Sequence, residues 1–135
     1  MTKQVSPQAL LSSLWIFILF NMTFRDFHQF LAPGYIEEMM AMEVANLSLL
    51  FYGIILEIPI AMVVLARILP DGANRWANLG AASIFLLGLL SNLNWSDYDD
   101  VFFATANVLA CGAIIRTVLR LPFPDQEGFQ RARSR

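Results

Sequence analysis

The sequence predicts an all-α integral membrane protein, a four-helix bundle with both termini in the cytoplasm. Its composition, four long apolar blocks and an uneven distribution of cations lead to this prediction. The 135 residues are 57% hydrophobic and 15% charged, with a mean hydropathy of +0.55. A soluble domain of ordinary composition carries about 25% charged residues, so this chain is too apolar for a surface that is fully exposed to water.

Each apolar block approaches the length of about 20 helical residues that a bilayer core of about 30 Å requires. The predicted helices cover residues 10–30, 44–67, 76–93 and 101–120. No small-x-small cleavage site follows the first apolar run, so we expect a retained helix and not a signal peptide. We predict one transmembrane domain over residues 1–121 and a disordered, basic cytoplasmic tail over residues 122–135.

The breaks between the blocks contain residues that end and begin helices. Pro33 and Gly34 end the first helix. The segment LPDGAN ends the second helix at Pro70 and offers Asn74 as a cap for the third.

The orientation follows from lysine and arginine. Eight of the nine cations fall in the N-terminus, the second loop and the tail with the helix ends beside it, and only Arg25 falls on the opposite side. By the positive-inside rule, both termini are therefore cytoplasmic. Seven of the eleven acids fall on the other side. They either form a solvated rim or attract a cationic solute toward the outer mouth.

Glu57 is the only charged residue between Val44 and Ala66, two positions before Pro59. Helix rise places it near the middle of the membrane. Because a lipid-facing carboxylate costs several kcal/mol there, we expect Glu57 to face the bundle, a water-filled cavity or a partner chain. Asn46, Gly53 and Ala61 share its helical stripe.

Several further polar residues of the predicted helices fall in the outer half of the membrane by helix rise. We interpret them as a polar funnel, open to the outside, with Glu57 at its base. The alternative is that each of the amides only bonds a neighbouring helix. Arg25 is expected to reach Asp97, Asp99 or Asp100, or to extend to the headgroups. The predicted ligand- or proton-binding residues are Asn21, Arg25, Asn46, Glu57 and Asn107.

The segments LWIFILFN, EIPIAMVVLARILPDGANRWAN and FFATAN resemble a family of small bacterial membrane proteins filed as a domain of unknown function. The likeness covers roughly residues 10–120, and the second segment is its most specific part. The resemblance implies a four-helix protein of the bacterial inner (plasma) membrane. It implies no activity and no assigned residue.

Three functions fit the sequence. The first is a small carrier or solute-binding protein for a possible cationic small solute. The second is a non-catalytic accessory or structural subunit, in which Glu57 bonds a partner membrane protein or a second copy of the chain. The third is a membrane enzyme that uses Glu57 for proton transfer, although the only histidine, His28, lies about 15 Å away by helix rise. We expect no cofactor, no metal site, no catalytic residue and no nucleic acid partner, and the lipid bilayer as surroundings.

Overall fold

The computed structural model describes residues 5–121, and within them every regular element is a helix. The helices are α1 (Pro7–Gln29), α2 (Tyr35–Ala41), α3 (Asn46–Ile68), α4 (Asp71–Ser91) and α5 (Tyr98–Leu119). The all-α prediction is confirmed for this part of the chain. The four predicted helices correspond to α1, α3, α4 and α5, while the short α2 was not predicted. The predicted tail lies outside the described residues.

The four long helices alternate in direction. The end of α1 meets the start of α5 through Arg25 and Asp100, and the start of α1 meets the end of α3 through Ser12 and Arg67. The bundle therefore has two ends of different charge, which we call the basic end and the acidic end. The basic end holds Arg67, Arg75, Arg116 and Arg120, and the acidic end holds Asp26, Glu37, Glu38, Asp97, Asp99 and Asp100.

The core occupies the half of the bundle toward the basic end. Trp15, Ile18 and Ile114 are fully buried there, together with Ala66 and Val118. Buried side chains of this kind each contribute about 1.5–3 kcal/mol relative to an exposed state in water. The densest packing between the helices therefore lies in the half toward the basic end.

Paired polar groups cross this packed half. Trp15 Nε1 donates to Asn78 Oδ1 at 2.7 Å, and Asn78 Nδ2 donates to Asn74 Oδ1 at 2.6 Å. Asn74 Nδ2 in turn donates to the carbonyl of Ala66 at 2.8 Å. Asn78 and Asn74 are fully buried, and their hydrogen bonds offset the cost of burying them.

The sequence predicts Asn74 as a cap for the third helix, and this prediction is wrong. Helix α4 begins at Asp71, five residues before the predicted start at residue 76, and Pro70 is its N-cap. Asn74 lies in the first turn of α4, where its amide donates to one of the last carbonyls of α3. These carbonyls have no partner within their own helix, so Asn74 closes the end of α3 instead.

Helix α3 changes its surroundings at Pro59. Every residue from 46 to 57 is exposed, whereas Pro59, Met62 and Ala66 are buried on the side that faces the bundle. The helix continues through Pro59, although the proline lacks the donor for the carbonyl four residues earlier. The first half of α3 is therefore held loosely against the other helices, and the second half is packed.

Three helices of the described region are long and apolar enough to cross a membrane, namely α1, α3 and α5. Many of their large apolar side chains are exposed, including Phe20, Phe24, Leu50, Val64 and Leu109. A water-soluble monomer rarely carries so much apolar surface, and so these helices indicate a membrane protein.

Candidate functional site: a cavity in the acidic half

A cavity of about 400 Å³ lies between the four long helices in the acidic half. Its volume is in the range of pockets that hold small organic molecules. The wall is mostly apolar. Its apolar and aromatic members include Met22, Tyr52, Leu56, Phe85, Leu89, Leu93 and Ala104, and its polar members are Arg25, Asn92, Asp100 and Asn107.

An ion pair forms the end of the cavity nearest the acidic end of the bundle. Arg25 Nε lies 2.7 Å from Asp100 Oδ1, with the two side chains 30% and 6% exposed. The expectation that Arg25 reaches an acid of the third loop region is confirmed, with Asp100 as the partner. Asp100 also accepts from Gln29 Nε2 at 3.1 Å and from the backbone N–H of Asn94 at 3.4 Å. Its buried carboxylate is thus compensated by three donors.

Asn107 lies deeper in the cavity and differs from the other buried amides. It is 1% exposed, yet neither its Nδ2 nor its Oδ1 has a hydrogen-bond partner within residues 5–121. A buried polar group without a partner costs about 1–3 kcal/mol. Since Asn74 and Asn78 are fully paired, the unpaired state of Asn107 is a local property of the cavity.

The floor of the cavity is formed by Phe85, which packs edge-on against Trp15 with ring centroids 6.5 Å apart. Trp15 is held in turn by its hydrogen bond to Asn78. The packed half of the bundle therefore ends at Phe85 and supports the cavity from below.

The first half of α3 forms one wall. Tyr52, Ile55 and Leu56 line the cavity, although each is also exposed. No residue between 46 and 57 is buried, so this wall is a single helix with little protein around it. It is the least constrained side of the site.

Glu57 does not lie where the funnel interpretation places it. It is exposed, and it is not among the residues that line the cavity. By helix geometry, Glu57 lies about 160° around the axis of α3 from both Pro59 and Ile55. Its face is shared with the exposed residues Ile60 and Val64. The small and polar stripe suggested an inward face, but the buried face of α3 is the one with Pro59, Met62 and Ala66.

The remaining predicted residues divide into two groups. Asn46 is exposed at the first position of α3, away from the cavity. Asn21 donates from Nδ2 to the carbonyl of Phe103 at 2.8 Å and so connects α1 to α5. The structure thus brings Arg25 and Asn107 to one cavity, places Asn21 beside it as a helix-to-helix contact, and leaves Glu57 and Asn46 outside.

A second side-chain contact between α1 and α5 lies at the rim of the acidic end. His28 Nδ1 is 3.1 Å from Asp99 Oδ2, and the two side chains are 54% and 59% exposed. This pair joins the same two helices as Arg25 and Asp100, but both of its side chains are largely exposed. A pair so exposed contributes little to stability.

Comparison with known proteins assigns the chain to a family. The model of a family of unknown function, DUF6326, matches residues 3–93, which is more than half of the chain. The chain belongs to the DUF6326 family. The match to DUF6326 covers α1 to α4, and it ends before α5, which carries Asp100 and Asn107. Neither the comparison with curated proteins nor the comparison with solved structures gave a match.

Asp100 and Phe85 are not among the predicted binding residues. The sequence indicates Asp100 only as one of three possible partners of Arg25, although it precedes Ala104 by four residues and Asn107 by seven, which places all three on one face of α5. That spacing was a usable signal. Phe85 carried no signal, because it is one of many apolar residues in its block.

Proposed function

We propose that this DUF6326 protein is a four-pass membrane protein that binds a small solute in the acidic-half cavity, as a carrier or a solute-binding protein does. The observation that carries the proposal is the buried amide of Asn107 on the cavity wall, which has no hydrogen-bond partner within residues 5–121. A ligand that bonds this amide recovers the free energy lost by burying it.

The proposal of four passes includes α4, which is 21 residues long and packs between α3 and α5. Its polar residues lower its hydropathy, but Asn74, Arg75 and Asn78 are buried inside the protein. The side chains that α4 exposes include Trp76, Ile84, Leu87 and Leu90, which suit lipid. A helix of this length, joined by short turns to two spanning helices, crosses the membrane with them.

The proposed orientation places the basic end in the cytoplasm, because arginines collect on the cytoplasmic side of membrane proteins. Both termini are then cytoplasmic, and the cavity lies in the outer half of the bilayer. The resemblance to small bacterial proteins favours the inner membrane as the location.

A matched pair of glycine variants tests ligand binding. Gly88 lines the cavity, and a Cβ built on it meets nothing within 4 Å, so Gly88→Leu begins a larger side chain in open space on the cavity wall. Gly112 is exposed on α5, away from the cavity, and its Cβ is equally free. Gly112→Leu is therefore the control.

The measurement is thermal unfolding of purified protein in nanodiscs, with a library that contains both cationic solutes and neutral amphiphiles. We expect ligands that stabilise the wild type and Gly112→Leu, and that have no effect on Gly88→Leu. A library without such ligands, or ligands that stabilise all three proteins equally, would contradict a binding function for this cavity.

A second candidate function is that of a membrane-complex subunit, and the exposure of Glu57 favours it. A carboxylate on the lipid side of α3 near mid-membrane is costly, whereas a partner helix or a second copy can bond it. Crosslinking and mass measurement in native membranes test this candidate. If the chain is such a subunit, the wild type crosslinks to a partner protein or to a second copy, and Glu57→Gln and Glu57→Leu lose that crosslinked species.

A further inference from the structure

We propose that the ligand of the cavity is an uncharged amphipathic molecule, whose head has both a hydrogen-bond donor and an acceptor and is held by Asn107. Its alkyl or ring body lies against the apolar wall. This inference rests on the proposed binding function and specifies the chemical class that the cavity selects.

The charges of the wall exclude a charged ligand. Among the described residues that line the cavity, Arg25 and Asp100 are the only members of the Asp, Glu, Lys, Arg and His types, and they lie 2.7 Å apart. Asp100 is further satisfied by Gln29 and by the backbone of Asn94. A charged ligand would have to break this pair or stay uncompensated in a medium of low dielectric, and both are costly.

The deep end of the cavity specifies the head group. Asn107 offers one donating group and one accepting oxygen, and both lack a partner among residues 5–121. A ligand with only an acceptor leaves the oxygen unpaired, and a ligand with only a donor leaves the nitrogen unpaired. A carboxamide satisfies both atoms in one plane with two parallel hydrogen bonds. A hydroxyl group can also satisfy both, with poorer geometry.

The rest of the wall specifies the body. Between Asp100 and Asn107 the cavity extends about 10 Å along α5, which is the rise of two helical turns. The facing residues Leu56, Leu89 and Phe85 are apolar. At protein packing density, a cavity of about 400 Å³ holds a molecule of about 15 non-hydrogen atoms. A saturated chain with a small neutral head meets both requirements.

The experiment uses three probes with equal chains, namely dodecanamide, dodecane and dodecyltrimethylammonium. Tritiated dodecanamide is bound to the wild-type protein in nanodiscs, protein-free nanodiscs provide the background, and the other two probes compete. We expect dodecanamide to bind, dodecane to compete at least about tenfold more weakly, and the cationic probe to compete no better than dodecane.

The matched variants are Asn107→Leu and Asn46→Leu. Asn46 is an amide outside the cavity, so its variant should bind dodecanamide like the wild type. Asn107→Leu should bind dodecanamide at least about tenfold more weakly and dodecane as well as before. If Asn107→Leu does not fold, Asn107→Asp introduces a charge and should lose the preference for dodecanamide at a pH where the new carboxylate is ionised.

Two results would overturn the inference and leave the binding function intact. One is stronger competition by dodecyltrimethylammonium than by dodecane, and the other is unchanged binding of dodecanamide to Asn107→Leu. Failure of dodecanamide to bind also overturns the inference. In that case, the library screen with Gly88→Leu and Gly112→Leu decides separately whether the cavity binds any solute.

Discussion

Asp100 and Asn107 lie two turns apart on one face of α5, and their hydrogen bonding is opposite. Asp100 is a buried carboxylate with three donors, while Asn107 is a buried amide whose polar side-chain atoms have no partner within residues 5–121. The same helix face therefore has a hydrogen-bonded residue near the acidic end of the bundle and, two turns deeper, a residue without partners in this part of the chain. This difference separates the structural role of Asp100 from the binding role that we propose for Asn107.

Asn107→Leu should leave the ligand-free protein as stable as the wild type, or more stable by about 1–2 kcal/mol. The substitution removes two buried polar atoms that have no partner in the described chain and adds apolar surface of similar size. Reversible unfolding in mixed micelles, followed by circular dichroism, measures the free energy of unfolding.

Asn78→Leu is the contrasting substitution and should cost about 2–4 kcal/mol. Asn78 accepts from Trp15 and donates to Asn74, so its loss leaves both of these buried groups with one bond fewer. An Asn107 variant that is destabilised as much as Asn78→Leu would show that Asn107 has a partner in the folded protein and would remove the basis of the binding proposal.

Arg25→Ala should destabilise the protein by about 2–3 kcal/mol. It leaves Asp100, which is 6% exposed, with only its two neutral donors. His28→Ala breaks the exposed pair with Asp99 between the same helices and should change stability by less than about 0.5 kcal/mol. Equal effects of the two substitutions would mean that Asp100 is hydrated in solution. A double-mutant cycle of Arg25 and Asp100 isolates the energy of the pair.

Glu57→Gln should leave dodecanamide affinity within about twofold of the wild-type value, because Glu57 lies on the exposed face of α3 and not on the cavity wall. The same nanodisc binding assay provides the measurement. A large loss of affinity, with an unchanged oligomeric state, would place Glu57 in the binding site and restore the funnel with a carboxylate at its base.

Four passes predict that the α3–α4 turn and the α4–α5 loop lie on opposite sides of the membrane. Ala73 is exposed in the first turn of α4, directly after the α3–α4 turn, and Ser96 is exposed in the α4–α5 loop. Cys111 is the only cysteine of the sequence. In a Cys111→Ala background, a membrane-impermeant maleimide added to intact cells should label Ser96→Cys and spare Ala73→Cys until the cells are opened. Labelling of both positions from one side would mean that α4 does not cross.

The sequence predicts the helices well, because apolar length alone determines them. The predicted and observed boundaries of the first, second and fourth blocks differ by up to three residues. The start of α4 is the exception, since Asn74, Arg75 and Asn78 interrupt the apolar pattern although they are buried with polar partners or within the bundle. Helix α2 was missed because its seven residues carry two glutamates and no span-length apolar run.

Two of the residues that line the cavity could be predicted from the sequence. Asn107 and Arg25 were identified because polar residues in an apolar helix stand out, and the charge of Arg25 pointed to the acids of the third loop region. The placement of Glu57 could not be predicted, because small and polar residues occur both at helix interfaces and on exposed faces. Which face of α3 packs is decided by Pro59, Met62 and Ala66, and the sequence alone gives these residues no special weight.

Pro59 divides α3 into a packed half and a half whose residues, from 46 to 57, are all exposed. In the proposed bilayer setting, acyl chains lie against these exposed residues, including Tyr52 and Leu56, which also line the cavity. Lateral pressure from the lipids then acts on the width of the proposed binding site. The binding proposal therefore predicts that ligand affinity depends on the acyl-chain length and saturation of the surrounding lipids.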